Sequence, residues 1–175
     1  PRQPSVQAHQ PTEVKCSTCY QAVTTPEGIQ SLLARIRSAK ACAVDTESSG
    51  KDPHQAELFG VSFSVKKGEA FYVPVVSGEL NDGAGSDAVL ESLRDIFNSG
   101  SQFVGHNLKY DYVLLRRYGL EIPGIDFDTM LATHECFGDW EFLNLSFVAK
   151  KLLGKNMKSY KDIVPKGLTF LDLPF

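Results

Sequence analysis

Three strand-like runs follow one another between residues 41 and 76, and this succession constrains the fold more than any other feature. The run at 41–47 is apolar and ends in charge, the run at 58–65 alternates, and the run at 70–76 is aromatic and β-branched. Consecutive strands with no helix between them usually pair as neighbours. We therefore predict an antiparallel meander.

Helical patterns surround these strands. Thr25 before Pro26 is typical of a helix start, and apolar residues recur at helical spacing after it. Further segments are predicted as a helix at 89–97, a strand at 102–105, a helix at 110–118 and helical structure from residue 128 to Gly154. The alternation predicts an α/β fold in which helices flank a mixed β-sheet.

Length and charge limit the class of protein. The 175 residues fit one globular domain, which we place at 20–175, after a tail or linker at 1–19 that is rich in Pro, Gln and Ser. The formal net charge of −3 argues against non-specific coating of nucleic acid. The sequence has neither a long apolar span nor a signal-peptide pattern, so we expect a cytoplasmic protein without a membrane partner.

Two acidic residues lie at the end of the first predicted strand. Asp45 and Glu47 are two residues apart, so their side chains leave the same face of the sheet. Carboxylates held together repel each other and are costly to bury, and a hard divalent cation such as Mg²⁺ relieves that cost. The alternative is that both acids cap loops or pair with Lys or Arg.

A second polar cluster follows the predicted strand at 102–105. Asn107 and Asp111 are four residues apart, so on a helix they share one face. If that face meets the strand end that carries Asp45, three carboxylates and an amide converge. The alternative makes Asn107 an ordinary helix cap and Asp111 a solvated surface acid.

Together these motifs resemble the proofreading 3′→5′ exonuclease domain of family A DNA polymerases, the bacterial polymerase I type in particular. The resemblance extends from residue 20 to the end of the chain. It rests on VDTE at 44–47, GHNLKYD at 105–111, FDTMLA at 127–132 and the intervening runs FGVSF and YVPV. It implies a ribonuclease H-like fold.

The resemblance also implies an activity and its residues. We expect two-metal hydrolysis of the last phosphodiester at a single-stranded or frayed DNA 3′ end, with Mg²⁺ as the cofactor and Mn²⁺ or Zn²⁺ as substitutes. Catalysis and metal binding are assigned to Asp45, Glu47 and Asp111. Substrate binding is assigned to Thr46, Asn107 and Lys109, and the polymerase domain of the same polypeptide is the expected partner.

Some features of the family have no assignable residue. Its third motif, Tyr-x-x-x-Asp, follows a segment similar to LTFLDLP at 168–174, and the chain ends at Phe175. The fourth carboxylate and the tyrosine therefore stay unassigned, and we expect this chain to have weak or no activity. Lys51 stands where many relatives have a leucine beside the terminal base.

Two alternative functions remain open from the sequence: an inactive exonuclease-like module beside a polymerase domain, and a ribonuclease D-like RNA exonuclease. A basic stretch between residues 148 and 167 also has two interpretations. It is either a solvated helix face or a track for a DNA strand or polymerase domain, and its lysines are Lys150, Lys151, Lys155, Lys158, Lys161 and Lys166.

Overall fold

The computed structural model describes residues 19–75 and 85–168, which form one mixed sheet with helices around it. The strands are β1 Cys19–Ala22, β2 Ala41–Ser48, β3 Leu58–Ser64, β4 Glu69–Pro74, β5 Gln102–Gly105 and β6 Ile125–Asp128. The helices are α1 Pro26–Ser38, α2 Gly85–Phe97, α3 Leu108–Arg117, α4 Thr129–Cys136, α5 Leu145–Leu153 and α6 Tyr160–Ile163.

The six-stranded sheet has the order β1-β4-β3-β2-β5-β6. β3 is antiparallel to both β2 and β4, which confirms the predicted meander. The pairs β1–β4, β2–β5 and β5–β6 are parallel. As a result, the carboxyl ends of β2, β5 and β6 lie side by side. Open α/β sheets usually bind their ligands at the carboxyl ends of their strands.

The sequence prediction missed β1 and β6, the two strands at the ends of this order. Each has four residues and is mostly exposed, so neither shows the apolar alternation that marks a half-buried strand. Asp128, predicted to begin a helical segment, instead ends β6 and caps α4. β1 begins at Cys19, and residues 1–18 of the predicted tail lie outside the described residues.

One face of the sheet forms the hydrophobic core against α1 and α2. Thr25 caps α1 by accepting a hydrogen bond from the Gly28 N–H at 3.2 Å, and Pro26 occupies the first turn, as predicted. The buried rings of Phe63 and Phe103 lie 5.9 and 5.3 Å from the Phe97 ring of α2. Burying a side chain of this size stabilises the fold by about 1.5–3 kcal/mol. β2 lies between β3 and β5 and buries Val44 in the same core, so the core fixes its position.

The opposite face of the sheet carries small side chains. Ala43 of β2, Ser62 and Ser64 of β3, and Ala70 of β4 line a pocket of about 310 Å³ on that side. Small residues leave the face open, so the polar side chains of β2 are accessible there. Within the described ranges, the helices are all too short or too polar to cross a membrane.

Candidate active site

The two acids of β2 project from the open face of the sheet, as predicted. Along the strand the buried side chains of Val44 and Thr46 alternate with Asp45, which is exposed, and Glu47, which is half-buried. Asp45 lies opposite Ser62 and Glu47 opposite Gly60, and the ladder then shifts between Glu47 and Ser48. Such irregularities are common where a strand ends next to a functional site.

Asp45 and Glu47 line adjoining pockets. Asp45 shares its pocket with Gly105, His106 and Thr129, from the ends of β5 and β6. Glu47 lines a second pocket of about 310 Å³ with Tyr72 and residues of β1. The acids therefore lie where three strands of the sheet deliver polar side chains.

Tyr72 is a neighbour of Glu47 that the sequence did not reveal. Burial raises the pKa of its phenol, and the negative charge of Glu47 raises it further. A Cβ atom at Gly60 would lie 2.4 Å from the ring of Tyr72, so only glycine fits opposite Glu47. Tyr72 pairs with Ser62 of β3, which lies opposite Asp45, so its ring reaches Glu47 diagonally across Gly60.

Asp111 reaches β2 from the first turn of α3. Its Oδ1 accepts hydrogen bonds from the Thr46 N–H at 2.8 Å and the Thr46 hydroxyl at 2.7 Å. Asp111 is only 3% exposed, so the alternative of a solvated surface acid is wrong. These hydrogen bonds hold Asp111 against the residue that lies between Asp45 and Glu47, so the three acids lie close together.

This contact forms because β2 extends beyond β5. β5 pairs with residues 41–43 of β2 and ends at Gly105. The amide of Thr46 therefore has no strand residue of β5 opposite it. Asp111 supplies the acceptor that a longer strand would have supplied. A Cβ atom at Gly105 would lie 2.8 Å from Leu108 Cγ and 2.9 Å from the Val44 oxygen, so glycine permits this tight passage into α3.

Burial and neighbouring acids raise the pKa values of all three carboxyl groups. Burial, followed by the charges of Asp111 and Glu47, raises the pKa of Asp45 to about 7. Asp45 is open to solvent on one side, but the surrounding protein atoms still exclude much of the water that would stabilise its charge. Burial and the charge of Asp111 also raise the pKa of Glu47.

Opposing effects act on the pKa of Asp111. Burial raises the pKa of its carboxyl group, the hydrogen bonds from Thr46 lower it, and the nearby charge of Asp128 raises it; the net shift is upward. The ion pairs of Arg35, Lys66 and Arg116 involve other acids, Glu69 and Glu121. Among the described residues, none of these ion pairs reaches Asp45, Glu47 or Asp111, and a cation would offset the negative charge of the three acids.

The donor set fits a hard divalent cation, because Asp45, Glu47 and Asp111 supply carboxylate oxygens. Among residues 19–75 and 85–168, however, no group of three or more His, Cys, Asp or Glu side chains is arranged to hold a metal ion. Asp111 directs Oδ1 to Thr46 instead of to a shared point. Mg²⁺ is usually held by one or two carboxylates with waters and substrate phosphates, so a closed protein cage is not required.

The predicted substrate-binding residues lie around this centre. Asn107 precedes α3 in a left-handed conformation, with φ 65°, and its side chain makes no capping hydrogen bond. It is thus neither an ordinary cap nor on the helical face of Asp111, because the helix begins only at Leu108. Lys109 is exposed on the first turn. The hydroxyl hydrogen of Thr46 is directed to Asp111.

Two other predicted features lie at the surface. Lys51 is exposed in the segment after β2. The Tyr110 hydroxyl anchors that segment through Ser48 Oγ at 2.6 Å and the Gly50 carbonyl oxygen. The six lysines between residues 148 and 167 are all exposed, as both interpretations of that stretch require.

Asp128, which lies in the FDTMLA run at 127–132, is a second residue to which the sequence assigned no site role. Its carboxylate caps α4 and also accepts hydrogen bonds from the N–H groups of Asn107 and Leu108, at the start of α3. Burial alone would raise its pKa, but the backbone hydrogen bonds outweigh burial and the pKa lies below its ordinary value. Asp128 is therefore an anion at neutral pH.

Comparison with known proteins decides the family. A model of the 3′–5′ exonuclease family matches residues 20–169. The chain belongs to this family. The exonuclease domain is homologous to that of DNA polymerase I, with 30% identity over 156 residues to the enzyme of Borreliella burgdorferi and 32% over 167 residues to that of Pseudomonas aeruginosa. These alignments cover 88% and 91% of the chain but only 17% and 18% of the two relatives.

Solved structures show the same fold. The catalytic core of RRP6 from Trypanosoma brucei superposes with a TM-score of 0.65 at 17% identity, covering 89% of this chain and 40% of that one. NrnC of Brucella melitensis with bound Mg²⁺ gives a TM-score of 0.57 at 19% identity, covering 89% and 70%. The predicted ribonuclease H-like fold of the exonuclease domain is thereby confirmed.

Proposed function

We propose that this exonuclease domain removes mispaired nucleotides from the 3′ end of DNA as part of a DNA polymerase I. The observation that carries the proposal is the hydrogen bonding of Asp111 to Thr46, the residue between Asp45 and Glu47. Carboxyl groups whose pKa values are raised by burial and by neighbouring acids are typical of sites of metal-dependent phosphoryl chemistry. The homology to DNA polymerase I favours DNA as the substrate.

In the proposed reaction, a water oxygen bonds to the terminal phosphorus while the bond to the preceding 3′ oxygen breaks. The products are a nucleoside 5′-monophosphate and a shortened strand with a free 3′ hydroxyl. Two bound Mg²⁺ ions, or Mn²⁺ or Zn²⁺ in their place, would supply charge stabilisation for the attacking and leaving oxygens.

Each site residue has a proposed role in this reaction. Asp45, Glu47 and Asp111 would hold the two ions, with Asp111 contributing directly or through water. Thr46, Asn107 and Lys109 would contact the terminal nucleotide. Lys109 is exposed on the first turn of α3 and can meet a phosphate without moving a buried group.

The same proposal includes the boundaries of the domain and its partner. We assign residues 20–175 to the exonuclease domain and residues 1–19 to a linker or tail, with a polymerase domain of the same polypeptide as partner. The six exposed lysines would attract the single strand or the polymerase domain. The cytoplasmic location stays a prediction.

The test compares digestion of 5′-labelled single-stranded DNA by the natural full-length protein and by an Asp45→Ala, Glu47→Ala double variant in Mg²⁺ or Mn²⁺. We expect the double variant to lose activity on the order of a thousandfold or more. Glu91→Ala, an exposed acid on α2, is the matched control and should retain full activity. Equal rates for the natural protein and the double variant would indicate the inactive module, and faster digestion of RNA than of DNA would indicate the RNA exonuclease.

A further inference from the structure

One carboxylate joins the starts of two helices in this domain. Asp128 Oδ1 accepts hydrogen bonds from Met130 N at 2.8 Å and Leu131 N at 3.4 Å in its own helix, α4. The same oxygen accepts from Asn107 N at 3.0 Å, and Oδ2 accepts from Leu108 N at 2.8 Å. Asp128 therefore serves as the cap that the side chain of Asn107 does not provide for α3.

Thr129 strengthens the same junction. Its hydroxyl donates to the Gly105 carbonyl oxygen at 2.9 Å and lies 2.8 Å from His106 Nδ1. A hydroxyl has one hydrogen, so His106 must donate from Nδ1. Residues 128 and 129 thus hold each residue from Gly105 to Leu108, the segment that connects β5 to α3.

This junction lies one turn before Asp111. Asn107 has a left-handed conformation, which L-residues adopt less readily than glycine, so neighbouring contacts help to hold it. The direction in which α3 leaves β5 determines whether Asp111 Oδ1 can reach both donors of Thr46. A negative charge at a helix N-terminus also stabilises that helix.

We propose that Asp128 is a positioning residue for the acidic site. Its carboxylate sets the start of α3 and thereby holds Asp111 against Thr46. The inference rests on the proposed exonuclease function, because it gives Asp128 a role in that site. A purely structural role, as the cap of α4, would stabilise the domain without affecting Asp111.

The experiment uses Asp128→Ala and Asp128→Asn in the natural full-length protein, with Asp126→Asn as the matched control. Asp126 is an exposed acid on the same strand, β6. Hydrogen-exchange mass spectrometry of peptides spanning residues 44–48 reports on the Thr46 amide without requiring activity. The Mg²⁺ concentration for half-maximal digestion of single-stranded DNA reports on the site.

For Asp128→Ala we expect about tenfold faster exchange at Thr46 and a Mg²⁺ requirement raised about 10–100-fold, as for other groups that orient metal ligands. Asp128→Asn retains one acceptor oxygen, so its effects should be smaller, and it serves as the test if the alanine variant does not fold. Asp126→Asn should match the natural protein in both measurements.

Unchanged Thr46 exchange in a folded Asp128 variant would overturn the inference, even if the variant melts at a lower temperature. An unchanged Mg²⁺ requirement in an active variant would overturn it too. If the natural protein is no faster than the Asp45→Ala, Glu47→Ala variant, the exonuclease proposal fails. The exchange measurement still decides whether Asp128 positions Asp111.

Discussion

Asp111 accepts both hydrogen bonds that Thr46 can donate to it, one from the main chain at 2.8 Å and one from the hydroxyl at 2.7 Å. The contact joins the first turn of α3 to the end of β2, residues 65 positions apart in the sequence. It brings a third carboxylate next to the two acids of β2.

Replacing Thr46 with valine should weaken this contact. The valine keeps the shape of the side chain but removes the hydroxyl donor, and a buried hydrogen bond to a charged group contributes about 1.5–3 kcal/mol. We expect Thr46→Val to lower the free energy of unfolding by this amount in urea denaturation. Thr46→Ser retains the hydroxyl and should cost less than about 1 kcal/mol, so equal stability of the two variants would contradict the role of the hydroxyl.

Asp45 should make stability depend on pH when divalent ions are absent. Its pKa is about 7 in the folded chain against an ordinary value of 3.8, so between these values the folded state binds more protons than the unfolded state. Stability from this group is therefore full below about pH 4 and is lost as pH rises towards 7. Asp45→Asn should melt at a higher temperature than the natural protein near pH 8 in EDTA, with a smaller difference near pH 4.

Mg²⁺ should reverse that difference. An ion that binds only the folded state at a hundred times its dissociation constant adds about 2.7 kcal/mol of stability. The melting temperature of the natural protein near pH 8 should therefore rise with added Mg²⁺, while that of Asp45→Asn should change little. A similar rise in both proteins would show that the ion binds elsewhere.

Two substitutions at Asn107 should separate the role of its backbone conformation from the role of its side chain. Its φ of 65° is available to glycine without strain but costs alanine about 1–2 kcal/mol. Asn107→Gly should therefore be more stable than Asn107→Ala in urea denaturation. If the amide orients the terminal nucleotide, both variants should lose exonuclease activity to a similar degree; full activity in Asn107→Gly would exclude that role.

Gly105 should tolerate no side chain. A Cβ atom there would lie 2.4 Å from Leu108 Cδ2 and 2.9 Å from the main-chain oxygen of Val44, which cannot rotate away. We expect Gly105→Ala to cost about 1–3 kcal/mol in chemical denaturation. Gly50→Ala is the control, because a Cβ atom at Gly50 meets nothing within 4 Å, and its effect should stay within about 0.5 kcal/mol.

The sequence by itself determined the meander, α1, the segment 102–105 as a strand and the shared face of Asp45 and Glu47. Each follows from local periodicity: side chains alternate along a strand and recur every three or four residues along a helix. Resemblance between motifs was sufficient to predict the family. The same local rules failed for β1 and β6, because an exposed edge strand needs no apolar alternation.

Only the tertiary structure decided how the acids meet. The contact of Asp111 with Thr46, the proximity of Tyr72 to Glu47 and the double capping by Asp128 join residues that are far apart in the chain. Each depends on where a strand ends relative to its neighbour, such as β5 stopping before Thr46, and periodicity within a segment carries no information about that. The raised pKa values have the same origin, since burial and like charge act through space.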